Sequence, residues 1–293
     1  MKFHCVTPCL NSEKYIEETM LSVLSQNALE KQNFFLFYTI VDGGSVDSTV
    51  EIIERTIAQF SSKKNIRIRY FSEKDSGMYD ALAKGFEYEI NNSDVYSYIN
   101  AGDYYSKYAF DVVSEIFTDN DIHFITGINS WYNEKSHLTD FFLPFSYNKN
   151  LLLKGFYGKA LPFIQQESTF WSNKSHKKIN FNKLRELRLA GDYYLWKTFI
   201  SDTPLYIVSA WLGGFKNHGG QLSSRFRDKY YEEVKSLSSE PKVFDYVLAY
   251  AYKIIGHFPN ELKKKLSSHI FEYNNVQQVY RLTNHSSRRL RRR

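Results

Sequence analysis

The first hundred residues alternate between short apolar runs and longer stretches with helical periodicity. The apolar runs predict strands at residues 2–7, 34–41, 66–71 and 95–99. The run at 34–41 is continuous, as in a parallel strand that is buried on both faces. Between the runs, apolar residues at helical spacing predict helices at residues 13–26, 47–60 and 78–89. This βαβαβαβ order predicts an α/β fold with a doubly wound, Rossmann-like and mostly parallel sheet.

The alternation ends near residue 105, and the pattern beyond it is weaker. It predicts a helix at 108–117, a strand at 122–128, an irregular aromatic-rich region to about residue 180, a helix at 187–200 and a strand at 205–211. Further helices are predicted at residues 227–237, 242–255 and 260–268. These changes divide the chain into residues 1–105, residues 106–225 and a helical C-terminal extension with a basic tail at residues 226–293.

Each predicted strand of the first part ends in a polar or glycine-containing turn. These turns contain Thr7-Pro8, Asp42, Asp75 to Gly77, and Asp103. Right-handed crossovers bring such turns to one edge of a parallel sheet, where ligands bind in open α/β folds. The carboxylate of Asp103 follows small residues and suits a hard cation that carries phosphates. Asp and Gly are also ordinary turn residues, so a plain turn is the alternative.

The composition is that of a folded protein, with 43% hydrophobic and 24% charged residues. The longest apolar run has about eight residues, far fewer than the roughly 20 needed to span a bilayer. The N-terminus lacks the features of a signal peptide, and Cys5 and Cys9 alone do not form a disulfide framework. These observations predict a cytoplasmic protein.

The formal net charge of +6 is concentrated near the end of the chain. From Pro259 onward, nine Lys and Arg against two Asp and Glu give +7, which leaves about −1 for the rest. The spacing of Leu262, Leu266 and Ile270 predicts an amphipathic helix over residues 260–271. We expect this basic tail to attach the protein to the anionic inner face of the cell membrane, unless the tail is only solvated. A nucleic-acid partner is not expected, because the rest of the chain is nearly neutral.

The sequence lacks the glycine-rich loop of dinucleotide-binding proteins, a Walker loop and a Gly-x-Ser-x-Gly elbow. Four other motifs occur in order: VTPCLN at 6–11, VDGGSVDST at 41–49, EKDSGMYDALAKG at 73–85 and NAGD at 100–103. Together they resemble the family 2 glycosyltransferases with the GT-A fold, the bacterial polysaccharide and lipopolysaccharide enzymes. The similarity extends to about Ser224 through Gln166, residues 168–171 and Gly191-Asp192.

The resemblance implies a nucleotide-sugar donor, usually a UDP-sugar, which binds with Mg²⁺ or Mn²⁺ on its diphosphate. The implied donor-binding residues are Thr7, Pro8, Asn11, Asp42, Asp75, Gly77, Lys84, Asn100 and Ala101. Asp42 would accept a hydrogen bond from the uracil N3–H, while Asp103 and His218 would hold the metal ion. Gln166 and Trp171 would contact the acceptor, a surface polysaccharide or a lipid-linked glycan.

The resemblance also makes Asp192 the base of an inverting, single-displacement transfer. The alternative is that Asp192 is only an acid at a helix N-terminus, where the dipole favours it. Ala101 stands where the family often has the first Asp of an Asp-x-Asp motif, so the donor ribose must be bound by other groups. Residues 1–105 would bind the nucleotide sugar, and residues 106–225 would bind the acceptor and catalyse the transfer.

Other interpretations of the same residues stay open. A sugar nucleotidyltransferase would share the fold, but it needs a glycine-rich basic loop after the first strand, which this sequence lacks. A non-catalytic nucleotide-sugar binder is suggested by the missing first Asp and opposed by Asp103 and Asp192. Trp171 could be a core residue, and Lys84 could pair with Asp80 on a helix surface.

Overall fold

A computed structural model describes residues 1–88, 93–119, 121–217 and 226–283. The strands are β1 (Lys2–Cys9), β2 (Phe35–Asp42), β3 (Ile66–Ser72), β4 (Val95–Tyr98), β5 (Tyr104–Tyr105), β6 (Phe124–Thr126), β7 (Asn129–Tyr132), β8 (Leu138–Phe142), β9 (Thr169–Ser172), β10 (Tyr206–Val208), β11 (Gly213–Lys216), β12 (Ile270–Asn274) and β13 (Val279–Leu282). The helices are α1 (Ile16–Leu24), α2 (Thr49–Phe60), α3 (Met78–Tyr88), α4 (Ala109–Asp119), α5 (Lys149–Leu153), α6 (Asn173–His176), α7 (Phe181–Glu186), α8 (Gly191–Ile200), α9 (Arg227–Leu237), α10 (Val243–Gly256) and α11 (Asn260–Leu266). Short 3₁₀ helices lie at Asn27–Glu30 and Gln166–Ser168.

Nine strands form the main sheet in the order β13-β12-β10-β6-β9-β4-β1-β2-β3. Strands β4, β1, β2 and β3 are parallel, and Cys9, Asp42 and Ser72 lie in register at the ends of three of them. Seven of the eight residues of β1 are buried, which is why the sequence shows this strand as an apolar run. The predicted α/β fold with a mostly parallel sheet is confirmed.

Helices cover both faces of the sheet. Because side chains alternate along a strand, Cys5 of β1 joins the core under α1, α2 and α4, while Val6 joins the core under α3 and α8. Helix α3 packs very closely on β1. A β-carbon on Gly85 would lie 2.5 Å from Cγ1 of Val6, so only glycine allows this approach.

The region that the sequence predicts as irregular contains ordered elements. Strands β5, β11, β7 and β8 form a second sheet, and β9 inserts between β4 and β6, antiparallel to both. The strand predicted at 122–128 is shorter, and the helix predicted at 187–200 begins only at Gly191. A separate helix, α7, precedes it and is capped by Asn180, whose Oδ1 accepts the N–H of Lys183 at 3.0 Å.

The C-terminal part is helical as predicted, but its end is not. Helix α11 ends at Leu266, and Ile270 begins a β-hairpin that pairs with β10 through Ile207. The prediction of one amphipathic helix over residues 260–271 was therefore wrong. Ile270 and Phe271 are almost completely buried in the sheet, and this burial outweighs the helical spacing of the apolar residues. Within the described ranges, no helix has the length and apolar character needed to cross a bilayer.

Candidate active site

Asp42 ends β2 and holds the turn that follows. Its Oδ2 accepts hydrogen bonds from the N–H groups of Gly44 at 3.2 Å and Ser45 at 3.0 Å, and from the Ser72 hydroxyl at 2.7 Å. Its Oδ1 accepts a further bond from the Ser45 hydroxyl. The carboxylate is completely buried. In this structure Asp42 builds the turn, and its recognition of uracil stays a prediction.

Asp75 approaches the Asp42 turn from the end of β3. A β-carbon on Gly43 would lie 2.8 Å from Oδ2 of Asp75, so the two loops are in close contact. Oδ1 of Asp75 accepts the N–H of Gly77 at 2.8 Å. Burial raises the pKa of Asp75, and the nearby charges of Asp80 and Asp42 add to the rise. Two acidic side chains therefore share this edge of the sheet.

Asn11 joins the same edge from the end of β1. Its N–H donates to the Ser45 hydroxyl oxygen at 2.7 Å, and its Oδ1 accepts the N–H of Val46 at 3.0 Å. Asn11 has a positive φ of 47°, which Asn tolerates better than most residues. Pro8 is buried just before it. The turns after β1, β2 and β3 thus meet at one edge, as the sequence predicts.

Two residues predicted to bind the donor make other contacts. The Thr7 side chain is buried in the core, with its hydroxyl 2.9 Å from the hydroxyl of Tyr38. Thr7 would therefore contact a donor through its backbone, and its part in the donor site stays a prediction. Lys84 forms an ion pair with Glu73 at 3.1 Å instead of the predicted pair with Asp80.

Asp103 lies in the turn after β4, two residues beyond the half-buried Ala101. Its Oδ1 accepts the N–H of Lys216 at 3.0 Å, and its carbonyl accepts the hydroxyl of Thr19 at 2.7 Å. Burial raises the pKa of Asp103 to about 7, although hydrogen bonds from Lys216 and Asn100 favour the charged form. Strand β11 therefore holds the carboxyl of Asp103, and α1 holds its backbone.

Gln166 connects the end of β4 to the second half of the protein. Its Oε1 accepts a hydrogen bond from Nδ2 of Asn100 at 3.0 Å, and its Nε2 donates to the carbonyl of Tyr98. The Gln166 side chain is buried. These bonds position the short helix that starts at Gln166, while a contact between Gln166 and an acceptor stays a prediction.

Glu167, which the sequence motifs do not single out, is buried next to this network. Burial raises its pKa well above the usual range, and the charges of Asp103 and Asp192 add to the rise. Among the described residues, its Oε1 has no hydrogen-bond partner. Glu167 is therefore close enough to feel the charge of both Asp103, the predicted metal ligand, and Asp192, the predicted base. Its position beside Gln166 is the only sequence signal that could have pointed to it.

Asp192 is the second residue of α8. Its Oδ1 accepts the N–H of Tyr193 at 2.7 Å. Burial raises the pKa of Asp192 to about 6, with a smaller upward contribution from Glu233, while a hydrogen bond from the Tyr230 side chain favours the ionised form. A carboxylate with this pKa is ionised at neutral pH and still basic enough to accept a proton.

Glu233 of α9 holds the backbone that leads into α8. Its carboxylate accepts the N–H groups of Arg188 at 2.9 Å, Leu189 at 2.7 Å and Ala190 at 2.6 Å. Tyr79 supports the same segment, because its hydroxyl donates to the Leu189 carbonyl at 3.0 Å. The sequence gives no signal for this role of Glu233, which depends on a contact between distant parts of the chain.

Trp171 is part of the core. It is completely buried in β9, where its Nε1–H donates to Nδ1 of His176 at 3.2 Å and its ring packs on Phe199. The predicted contact between Trp171 and the acceptor is therefore corrected, because no part of the side chain reaches the surface. His218, the other predicted metal ligand, lies outside the described residues.

The sequence relationships agree with this architecture. Residues 5–157, more than half of the chain, match the model of glycosyl transferase family 2. The chain belongs to this family.

Similar proteins differ in how much of their length is shared. The minor teichoic acid biosynthesis protein GgaA of Bacillus subtilis (strain 168) is 29% identical over 119 residues, which are 41% of this chain but only 25% of GgaA. The structure of S. aureus TarS 1-349 in complex with UDP-GlcNAc has a TM-score of 0.57 at 15% identity, over 92% of this chain and 71% of that chain. The mannosyltransferase PcManGT from Pyrobaculum calidifontis, in complex with GDP-Man and Mn²⁺, has a TM-score of 0.56 at 12% identity, over 89% and 71%. These similarities confirm the predicted GT-A fold.

The donor groups around Asp103 can be tested against a divalent cation. No cluster of three or more His, Cys, Asp or Glu suited to a metal occurs in the described part of the chain. Asp103 and Glu167 are, however, neighbouring buried carboxyls with raised pKa values, an arrangement that a cation would stabilise. Mg²⁺ is commonly held by one or two carboxylates together with substrate phosphates. The residues present therefore fit a cation that arrives with a diphosphate.

Replacing Glu233 with alanine should disturb the start of α8, and with it Asp192, the predicted base. Removal of the carboxylate leaves three backbone N–H groups without their acceptor, so we expect a loss of roughly 1–3 kcal/mol in unfolding free energy. Transfer should slow while donor affinity is retained. The matched control is Glu232→Ala, at the exposed neighbouring position. Thermal unfolding and donor titration give the comparison, and identical behaviour of the two variants would contradict the positioning role.

Proposed function

We propose that the protein is an inverting, metal-dependent glycosyltransferase. It moves a sugar from a nucleotide-sugar donor, a UDP-sugar, to a hydroxyl group of a surface polysaccharide or a lipid-linked glycan. The observation that carries this proposal is a group of three acidic side chains, with Asp103 and Glu167 buried and Asp192 half-buried, in which the charges of Asp103 and Asp192 both act on Glu167. Complexes of TarS with UDP-GlcNAc and the teichoic acid function in the name of GgaA support a UDP-sugar and a cell-surface polymer.

The donor would lie along the edge formed by Asn11, Asp42 and Asp75, with its diphosphate towards Asp103. Asp103 would hold Mg²⁺ or Mn²⁺, with Glu167 close enough to add negative potential. When bound, the cation neutralises the charge that develops on the leaving diphosphate. The part of the molecule that binds the donor would be residues 1–105, as the sequence divides it.

Asp192 would be the general base. Its carboxylate takes the proton from the acceptor hydroxyl while that oxygen bonds to the anomeric carbon. At the same time, the bond from this carbon to the diphosphate oxygen breaks, and attack from the opposite face inverts the anomeric centre. Hydrogen bonds from Tyr193 and Tyr230 hold the carboxylate in one orientation.

The acceptor would bind in the cleft beside Asp192. This cleft is lined mainly by apolar and aromatic side chains: Leu152, Tyr157, Phe163, Ile164, Tyr193, Trp196 and Tyr230. Flat rings with a polar edge suit the faces and hydroxyl groups of sugars. The exposed Phe163 and the half-buried Tyr230 take the place of Trp171 in the acceptor site, and the other five residues are buried and form its floor. All of them except Tyr230 lie within residues 106–225, the predicted acceptor half, and Tyr230 comes from the C-terminal extension.

A panel of nucleotide sugars tests the proposal. Purified protein is incubated with each donor and a polyol or glycan acceptor, with Mn²⁺, with Mg²⁺ or with chelator, and release of the nucleoside diphosphate is measured. Metal-dependent release from one donor that rises with acceptor supports a transferase. Release of nucleoside triphosphate on adding pyrophosphate would instead indicate a nucleotidyltransferase, and binding without release a non-catalytic binder.

Attachment to the membrane through the basic tail also stays a proposal. The arginines from Arg288 to Arg293 lie outside the described residues. Helix α11 alone, without the strand that follows it, is too short to form the surface helix predicted from the sequence.

A further inference from the structure

Helix α10 exposes an apolar face. Val243, Val247, Tyr250 and Ile254 recur at the spacing of one helical face and are between 45% and 84% exposed. The opposite side of the helix is anchored to the protein. There Asp245 and Ala249 are buried, and the Tyr252 hydroxyl oxygen accepts a hydrogen bond from Nδ2 of Asn148 at 3.3 Å. The exposed face is therefore a surface of a well-packed helix.

Aromatic and basic side chains flank this face. Phe244 and Tyr246 are exposed on its two sides, and Lys253 is exposed near its C-terminal end. Three of the five lysines from Lys242 to Lys265 are exposed, namely Lys242, Lys253 and Lys265, whereas Lys263 is buried and Lys264 is paired with Glu261 and Glu272. Apolar side chains bordered by aromatic residues and lysines are typical of helices that lie in the interface of a membrane.

The basic end of the chain starts next to these lysines. Thr283, the last described residue, donates its hydroxyl to the carbonyl of Lys264 in α11 at 2.8 Å. Helix α11 is fixed in turn by Lys263, whose Nζ donates to the Leu143 carbonyl at 2.7 Å. The five arginines near the C-terminus follow Thr283 within ten residues of sequence. The basic sequence therefore begins directly after a residue that is fixed against α11.

We propose that the outer face of α10, defined by Val243, Val247, Tyr250 and Ile254, binds an anionic lipid surface. The apolar side chains enter the headgroup region, and the exposed Lys242 and Lys253 of the same segment contact lipid phosphates. This proposal places the main membrane contact on α10, whereas the sequence alone points to the arginine tail.

The location of the face suits a lipid-linked acceptor, and this one point rests on the proposed function. Tyr157 lines the cleft beside Asp192 and also the pocket that Tyr252 and Gly256 of α10 border. The proposed acceptor site is therefore adjacent to the helix that would contact the lipid. A glycan held at the membrane could reach Asp192 without leaving the surface.

Co-sedimentation with vesicles tests the proposal. Wild-type protein should bind phosphatidylglycerol-containing vesicles and bind pure phosphatidylcholine vesicles weakly, and 1 M NaCl should weaken the binding. Val247→Asp places a charge in the apolar face and should reduce binding by about tenfold or more. The matched control is Val276→Asp, the same change at a 92% exposed residue in the turn between β12 and β13. This control should bind like wild type.

A fluorescent label gives an independent readout. Cys5 and Cys9 are buried, so a polarity-sensitive dye can be attached selectively to a cysteine placed at Tyr250 or, as control, at Val276. Anionic vesicles should shift the emission of the label at Tyr250→Cys to shorter wavelength and leave that at Val276→Cys unchanged.

Two outcomes would overturn the proposal. In the first, Val247→Asp binds vesicles as strongly as wild type. The arginine-rich tail, and not α10, would then be the part that binds the membrane. In the second, sedimentation without lipid shows that wild type is a dimer and Val247→Asp a monomer, so that a second copy covers the face. Donor binding and transfer to a soluble acceptor are measured on the same samples. Loss of vesicle binding with intact transfer separates this proposal from the proposed function.

Discussion

Asp192→Asn is expected to bind the donor with wild-type affinity and to transfer sugar roughly 10²–10⁴-fold more slowly. Asparagine has the same shape as aspartate, and its Oδ1 can still accept the N–H of Tyr193. It cannot, however, take a proton from the acceptor hydroxyl. The effect should therefore fall on kcat and leave the affinity for nucleoside diphosphate unchanged. Calorimetry of UDP binding and steady-state transfer rates measure the two quantities.

The pH dependence gives a second signature of the same residue. Because burial raises the pKa of Asp192 to about 6, wild-type transfer should fall tenfold for each pH unit below that value. With metal and donor at saturation, so that Asp103 stays ionised, the rate that remains in Asp192→Asn should lack this dependence. A variant that transfers at nearly the wild-type rate would show that Asp192 is structural and that the base lies elsewhere, with Glu167 as the next candidate.

The stability of the folded protein should fall over the pH range in which the transfer rate rises. The folded-state pKa of Asp192 exceeds the unfolded value of 3.8, so the folded protein binds the proton more tightly. The unfolding free energy should therefore fall as pH rises from about 4 to about 6. Above that range Asp192 is ionised in the folded protein, and the whole loss of stability caused by its buried charge is present. Asp192→Asn removes this cost, and we expect a gain on the order of 1–3 kcal/mol at pH 8 and none near pH 3.

Asp228→Asn is the control for both effects. Asp228 is also an acid in the first turn of a helix, but it is exposed to solvent. If Asp192 only stabilised the helix dipole, the two substitutions would behave alike, and each would lower stability slightly. A stabilised but slow Asp192→Asn beside a slightly destabilised, active Asp228→Asn would distinguish a base from a helix-capping acid.

The parallel half of the fold could be predicted from the sequence for a physical reason. Strands buried on both faces, such as β1 and β2, appear as continuous apolar runs, and the amphipathic helices between them have a clear period. The second half gives no such signal. Strands β6 and β9 have three and four residues, too few for a period to show, and their partners are distant in sequence.

The sequence indicates candidate site residues where a single residue stands out in a turn motif, and it gives no signal for residues that act through tertiary contacts. Asp103 and Asp192 follow recognisable motifs. Glu233 acts on backbone N–H groups 43 to 45 residues away, which no local pattern can indicate. Trp171 was misassigned because its motif names the residue but not the place of its strand, and β9 lies inside the main sheet with all four of its residues buried.

UDP should bind more tightly with Mn²⁺ or Mg²⁺ than with chelator, and Asp103→Ala should abolish the difference. A single carboxylate provides too few ligands to hold Mg²⁺ alone, so the cation is expected to bind together with the diphosphate. We expect the metal to increase wild-type affinity by about tenfold or more, which corresponds to about 1.4 kcal/mol. Calorimetric titration of UDP under the two conditions measures the effect.

Asp103→Asn separates the charge of this residue from its structural contacts. Oδ1 of Asp103 accepts the N–H of Lys216, and an asparagine can keep this bond while it loses the negative charge. If Asp103 acts by holding the cation, both variants should bind UDP in the presence of metal with the affinity that wild type shows in chelator. If Asp103 only supports the turn, Asp103→Asn should keep the metal effect. Equal UDP affinity of wild type with and without metal would overturn the metal site altogether, since the buried pair of Asp103 and Glu167 would then have no cation to stabilise it.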